Sequence, residues 1–106
     1  DMGASVWRQL ESHLEVLMVH LLKWQFQPDF RTRSWQLTIK EQRLKLGRLI
    51  RQNPSLEPKL AAAIGDVYPY AVVGAAKETG LDEAIFPEEC PYAWDQLLQH
   101  QYFPSV

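Results

Sequence analysis

The chain has a single cysteine, Cys90, so no intramolecular disulfide can form and a paired-cysteine zinc site has no second sulfur. No histidine or lysine stands next to Cys90 in sequence to favour its thiolate, and its position before Pro91 suits a structural place in a turn. Long apolar runs are also missing. The nearest to one, Val16 to Leu22, is interrupted by His20 and followed by Lys23, far short of the roughly 20 residues that cross a bilayer. No stretch alternates polar with β-branched residues and no hairpin dipeptide separates two such stretches, so no sheet is expected. Glycine-rich phosphate loops, paired-cysteine motifs and a recognisable Ser-His-Asp order are absent as well. A secretory signal does not open the chain, because Asp1, Arg8 and Glu11 surround any apolar start and no small-residue cleavage site follows. A cytoplasmic location is the expectation. The opening Asp1-Met2-Gly3 is not an initiator-methionine start, which leaves open a natural chain that begins earlier.

What is present is the composition of an ordinary folded domain. The chain has 106 residues, 46% hydrophobic and 23% charged, enough for one core and too few for a second. One helical domain over residues 1–106 is expected. The net charge of -2 hides a segregation. Arg31, Arg33, Lys40, Arg43, Lys45, Arg48 and Arg51 stand in one stretch against Glu41 alone, whereas from Glu57 onward eight acids face only Lys59 and Lys77. Such asymmetry can mark nucleic-acid binding. It can also mark two segments that neutralise each other, inside one bundle or across a dimer, and this complementation is the favoured expectation.

Helical periodicity organises the rest. Trp7, Leu10, Leu14, Leu17, Leu21 and Trp24 recur at steps of three and four, one stripe of a helix from about Ser5, a plausible N-cap, to Phe26 before Pro28. Val16, Met18, Val19 and Leu22 widen its apolar surface, which predicts a central helix contacted from more than one side. Ser34 can cap a second helix reaching about Asn53, stopped by Pro54. Its core stripe is Trp35, Ile39, Gln42, Leu46, Leu49 and Ile50, with Lys40, Arg48 and Arg51 opposite. Leu37 and Leu44, seven residues apart, break the pattern by projecting among the basic side chains, and suggest a second contact surface. Ser55 can cap a third helix from about Leu56 to Thr79, with Leu60, Ile64, Val67, Ala71 and Ala75 inward and Gly80-Leu81 as a Schellman stop. Pro69 predicts a kink there. Gly74, Ala75 and Ala76 allow close helix approach, and Pro91 suits the first position of a short last helix reaching about His100. The fold class is therefore all-α, a small antiparallel bundle of three long helices and one short C-terminal helix.

The stretch His20 to Pro28 (HLLKWQFQP), the entry Arg33-Ser34-Trp35, Ile39 with Gln42-Arg43, Pro54-Ser55-Leu56, Lys77 to Leu81 (KETGL) and Phe86 to Tyr92 (FPEECPY) together carry a resemblance. The chain resembles the bacterial domain of unknown function number 29 family over about Leu10 to Pro104. The resemblance implies an all-helical fold and brings no activity, substrate or catalytic residue with it. It also implies residues ahead of Asp1, one candidate cover for Leu37 and Leu44.

Several constellations could carry chemistry. Arg8 and His13 fit the loose Arg-to-His spacing of HEPN-class ribonucleases, in which the cation would steady a phosphate and the imidazole would transfer a proton. Five residues along a helix do not put both on one face. His13 and His20 would need Glu15 or His100 to complete a metal site and lack the closer spacing such pairs prefer, so no metal is assigned. Lys23, Trp24, Arg31, Arg33 and Trp35 mix cations with aromatic faces at the first interhelical turn, as phosphate and nucleic-acid sites do. The plainer reading has the indoles sealing the core end while the arginines cap carbonyls or pair with C-terminal acids. Gln42, with Arg43 beside it, is polar within an apolar stripe and must find partners, in a structural network or lining a pocket. No cofactor is implied. The favoured expectation is a non-enzymatic helical module that binds a protein partner or itself through Leu37 and Leu44, without a membrane. The alternative is a protein acting on nucleic acid, such as a HEPN-like ribonuclease or a toxin-antitoxin component.

Overall fold

A computed structural model describes residues 3–105. Four α-helices carry the fold: α1 (Ala4–Phe26), α2 (Arg33–Gln52), α3 (Leu60–Thr79) and the short α4 (Trp94–Leu98), with three 3-10 segments between them and no strand among the described residues. The arrangement is the expected all-α antiparallel bundle. α1 is the central element, packed on one side by α2 and on another by α3. Those two have little direct contact and are bridged by the 3-10 segment Pro54–Lys59 and by α4.

The apolar stripe of α1 explains its position. Leu10, Leu14, Leu17, Met18, Leu21 and Leu22 are completely buried, and removing each such side chain from water is worth about 1.5 to 3 kcal/mol. Trp7 and Trp24 pack against this core from its edges. Ser5 does not cap the helix, because the helix starts at Ala4 and extended Gly3 holds the cap position without a side-chain bond. On α2 the cap is Thr32, whose Oγ1 accepts from Trp35 N at 3.1 Å, and Ser34 lies inside the first turn. Asn53 closes that helix, its side-chain amide donating to Leu49 O at 3.0 Å.

The third helix starts later than expected. Pro54 to Lys59 forms a 3-10 segment with buried Leu56 as its plug, and the α-helical ladder begins only at Leu60. Pro54 and Pro58 each lack the N–H that an α-ladder would use, so Ser55 caps nothing. From Leu60 the helix runs through Pro69 to Thr79, kinked where Pro69 has no N–H to donate and not broken. It ends on Gly80 at φ 77°, whose N–H reaches Ala76 O. This is the simpler left-handed cap; Leu81 N binds Thr79 Oγ1 instead of completing a Schellman pair. Close approach to α1 is real at Gly74, where an added Cβ would stand 2.9 Å from Val19 Cγ2.

The C-terminal segment folds back over one end of the bundle. Phe86 meets Phe26 edge-on at 5.3 Å, Phe103 covers Trp24 at 4.9 Å, and the Tyr68 hydroxyl donates to Pro87 O. Pro91 does not open α4. The helix begins at Trp94, with Ala93 N bound to Gln96 Oε1 at 2.9 Å, and it stops at Leu98, short of His100. The carbonyls at and just beyond this end are held by Arg43. Its guanidinium, 1% exposed, donates to Leu97 O at 2.8 Å, Gln96 O at 3.0 Å and His100 O at 3.3 Å. Burial draws its pKa below the ordinary arginine value, with Tyr102 acting in the opposite sense.

Candidate functional site

The polar residues singled out in the sequence divide into those turned inward and those left outside. Lys23 is 8% exposed, binds Glu78 Oε1 at 2.7 Å and lies 4.5 Å from the Trp35 ring centroid. Arg31 stacks on Trp24 at 4.9 Å and donates from Nε to Trp24 O at 2.8 Å, while its Nη2 is buried without a partner. The first interhelical turn thus ties Lys23, Trp24, Arg31 and Trp35 into the fold. Arg33 alone of that group is exposed, beside Lys40, His100 and Phe103 in a shallow cleft between α2 and the C-terminal segment.

Gln42 and Arg43 are also structural. Gln42 accepts from His13 Nδ1 at 2.8 Å, a bond between α1 and α2, and Arg43 satisfies carbonyls, as described above. The sequence pointed to Gln42 as needing a partner but not to His13. His20 Nδ1 donates to Val16 O at 2.8 Å, and burial lowers its pKa from 6.5, with the Val16 bond opposing. Tyr68 is raised to about 12 by burial, and Tyr92 and Cys90 are raised for the same reason. These titrating groups belong to the interior. Cys90 Sγ lies against Met18 Sδ and Tyr92 O, half-buried in the irregular segment ahead of α4.

Arg8 and His13 do not meet. Five residues turn a helix by roughly 500°, which leaves the two about 140° apart. Arg8 borders a groove with Glu15, Asp66 and Tyr70 on the α3 side, and His13 borders another with Lys45, Arg48 and Gln52 on the α2 side.

Outside, a continuous surface runs along α2. Leu37 is 49% and Leu44 55% exposed, and Lys40, Glu41, Lys45, Arg48 and Arg51 surround them. Lys45 pairs loosely with Glu41 at 3.5 Å, one helical turn away. Among the described residues, Arg33, Lys40, Arg48 and Arg51 have no carboxylate partner. The expected neutralisation of this helix by the C-terminal acids inside the chain is therefore corrected. Among the described residues, the one ion pair between a cation of the first half and a late acid is Lys23 to Glu78, and its lysine comes from α1. Buried Arg43 apart, the cations of α2 lie on the side away from its core stripe, and among the described residues no late acid pairs with them.

The fold and this face define a small helical domain with a free, basic-apolar helix side and no assembled catalytic cluster among the described residues. The chain belongs to the family described as Domain of unknown function DUF29, whose model matches residues 1–103. No curated protein and no solved structure matches it. No helix is long and apolar enough to cross a membrane among the described residues.

Proposed function

We propose that this domain is a non-enzymatic docking module whose working surface is the outer side of α2, and that its partner is a protein offering apolar side chains flanked by carboxylates. The observation that carries this reading is the exposure of Leu37 and Leu44, at 49% and 55%, among cations of which, in the described residues, only Lys45 has a carboxylate partner, Glu41 one turn away. Two leucines seven residues apart lie on one side of the helix, the spacing with which a helix anchors to a groove or to another helix. The surrounding lysines and arginines supply orientation and selectivity more than affinity. With Cys90 a free thiol, a reducing compartment suits the domain, and we place it in the cytoplasm.

Titration with a synthetic acidic amphipathic helical peptide, followed by backbone amide shifts, tests the reading. Shifts at Leu37, Leu44 and the cations between them, lost in Leu37→Ser/Leu44→Ser, support it; a peptide that leaves α2 undisturbed argues against it. A second reading is favoured by the same unpaired Arg33, Lys40, Arg48 and Arg51, which could follow a phosphate backbone. Binding to mixed RNA and DNA that weakens linearly in log salt and ignores the two leucines would establish that alternative. Cleavage abolished by Arg8→Ala or His13→Ala would extend it to a ribonuclease.

A further inference from the structure

We infer that the partner of the α2 face is a second copy of this chain, engaged through the acidic surface where α3 meets the segment that follows it. The inference rests on the docking reading of α2 above and names its occupant. The acidic surface is a shallow groove bordered by Pro69, Val72 and Val73 of α3 and by Glu83, Ala84 and Glu88 beyond it. Val73 is 48% exposed. Glu83 and Glu88 are exposed and have no cationic partner among the described residues. The two faces therefore complement each other: apolar side chains edged by cations on one, a shallow groove with an apolar floor edged by carboxylates on the other.

Charge also decides how copies meet. Pairing α2 with the α2 of a second copy would bring Lys40, Arg48 and Arg51 against cations like themselves, with only Glu41 to offset them. Pairing the acidic groove with itself sets Glu83 and Glu88 against carboxylates. The favourable contact is basic face to acidic face, a heterologous one. Because α2 and α3 pack on α1 from different sides with little contact between them, one copy can use both faces at once. Association then propagates into a ring or a short file. The opposite charges that sequence segregates and the fold leaves apart are neutralised between molecules.

Sedimentation velocity on the purified chain, over a range of concentrations, tests the inference. Raising the ionic strength from about 0.01 M to about 1 M shortens the screening length from about 30 Å to about 3 Å. The expected result is a mass that grows with concentration at low salt and returns to the monomer at high salt. Lys40→Glu/Arg48→Glu and Glu83→Lys/Glu88→Lys, all at exposed positions, should each be monomeric at low salt, and at high salt, where the wild type is a monomer too, their thermal melts should match its own. Mixing the two variants should restore assembly, since each reversed face then finds its complement. Assembly that survives both reversals overturns the inference. So does a wild-type monomer at every concentration; if that monomer still binds the acidic helical peptide through Lys40 and Arg48, the docking reading stands and only the second copy is wrong. A monomer that binds neither peptide nor itself removes both, and a monomer that binds only nucleic acid through α2 replaces both.

Discussion

α2 and α3 are both 20 residues long and both lie against α1, yet they do so by opposite means. α3 buries Leu60, Val67 and Tyr68 but sets small residues, Ala63, Ala71, Gly74 and Ala75, between them, and at Gly74 its fit depends on the absence of a side chain. α2 reaches inward with long side chains, Ile39, Gln42, Arg43, Leu46 and Ile50, and leaves its other side to solvent. A helix fixed by steric closeness tolerates little added volume on its packed side. A helix held by a stripe of long side chains can vary its opposite face freely, and that is where a binding surface can develop without endangering the fold.

The largest expected effect breaks the α2 side of this contrast. Arg43→Met keeps the bulk but removes three bonds to buried or half-buried carbonyls, and should lower the stability seen in denaturant unfolding by about 3 kcal/mol. Arg43→Lys should recover only part, because an ammonium cannot span the three acceptors. A loss below about 1 kcal/mol would mean that Trp94 and Leu97 dock α4 without the guanidinium.

Two glycines sharpen the contrast further. Gly74→Ala should destabilise by about 1 to 2 kcal/mol through its clash with stiff Val19, despite gaining helix propensity. Gly47→Ala meets only the far end of Arg51, at 3.3 Å, and should stabilise by up to about 1 kcal/mol. Thermal melts of the pair read both signs. If both alanines stabilise, the close approach of α3 is softer than the geometry requires.

A smaller effect concerns His20, which sits on α1 near Lys23 and Glu78. Its pKa is lowered in the folded state, first by burial, so the unfolded chain binds the proton more readily. Stability should therefore fall as pH drops through the ordinary histidine value of 6.5 toward the lowered one. Melting curves between neutral and mildly acidic pH should have that slope, and His20→Gln should flatten it. The smallest effect on folding belongs to Leu37→Ser/Leu44→Ser, within about 0.5 kcal/mol of wild type, although it removes the apolar anchors of the proposed interface. A substantial loss of stability there would mean that these leucines serve the fold.

Much of this was legible in the sequence for a physical reason: burial on a helix repeats with the helix. The stripes of α1 and α2, the exposure of Leu37 and Leu44, the bend at Pro69 and the small-residue approach at Gly74 all follow from periodicity and volume. Other features depended on choices that local sequence leaves balanced. Thr32 and Ser34 are both competent caps two residues apart. Pro58 turns the start of the third helix into a 3-10 segment, and Pro91 lies ahead of α4 instead of in it. Among the candidate site residues, Lys23 and Arg31 could not be separated from Arg33 by composition, whereas periodicity already set Arg43 beside the core stripe of α2. What sorts them is a partner: Glu78, Trp24 O and the carbonyls near the chain's end. A backbone carbonyl is available at every position, so nothing in the letters marks the three that Arg43 selects. The acidic groove at Val73, Glu83 and Glu88 was visible only as a charge count, since its two halves come from separate segments.

The guanidinium of Arg43 also imposes an order on synthesis. α1, α2 and α3 are complete once Thr79 has been made, yet the cation among them has no acceptors until Gln96, Leu97 and His100 leave the ribosome. A nascent bundle must therefore either hold that charge in water, with α2 loosely seated, or wait. Final closure belongs to the segment Gln96 to His100, made after all three long helices, so a chain that stops at Thr79 has nearly all of its helix and lacks the carbonyls that lock it.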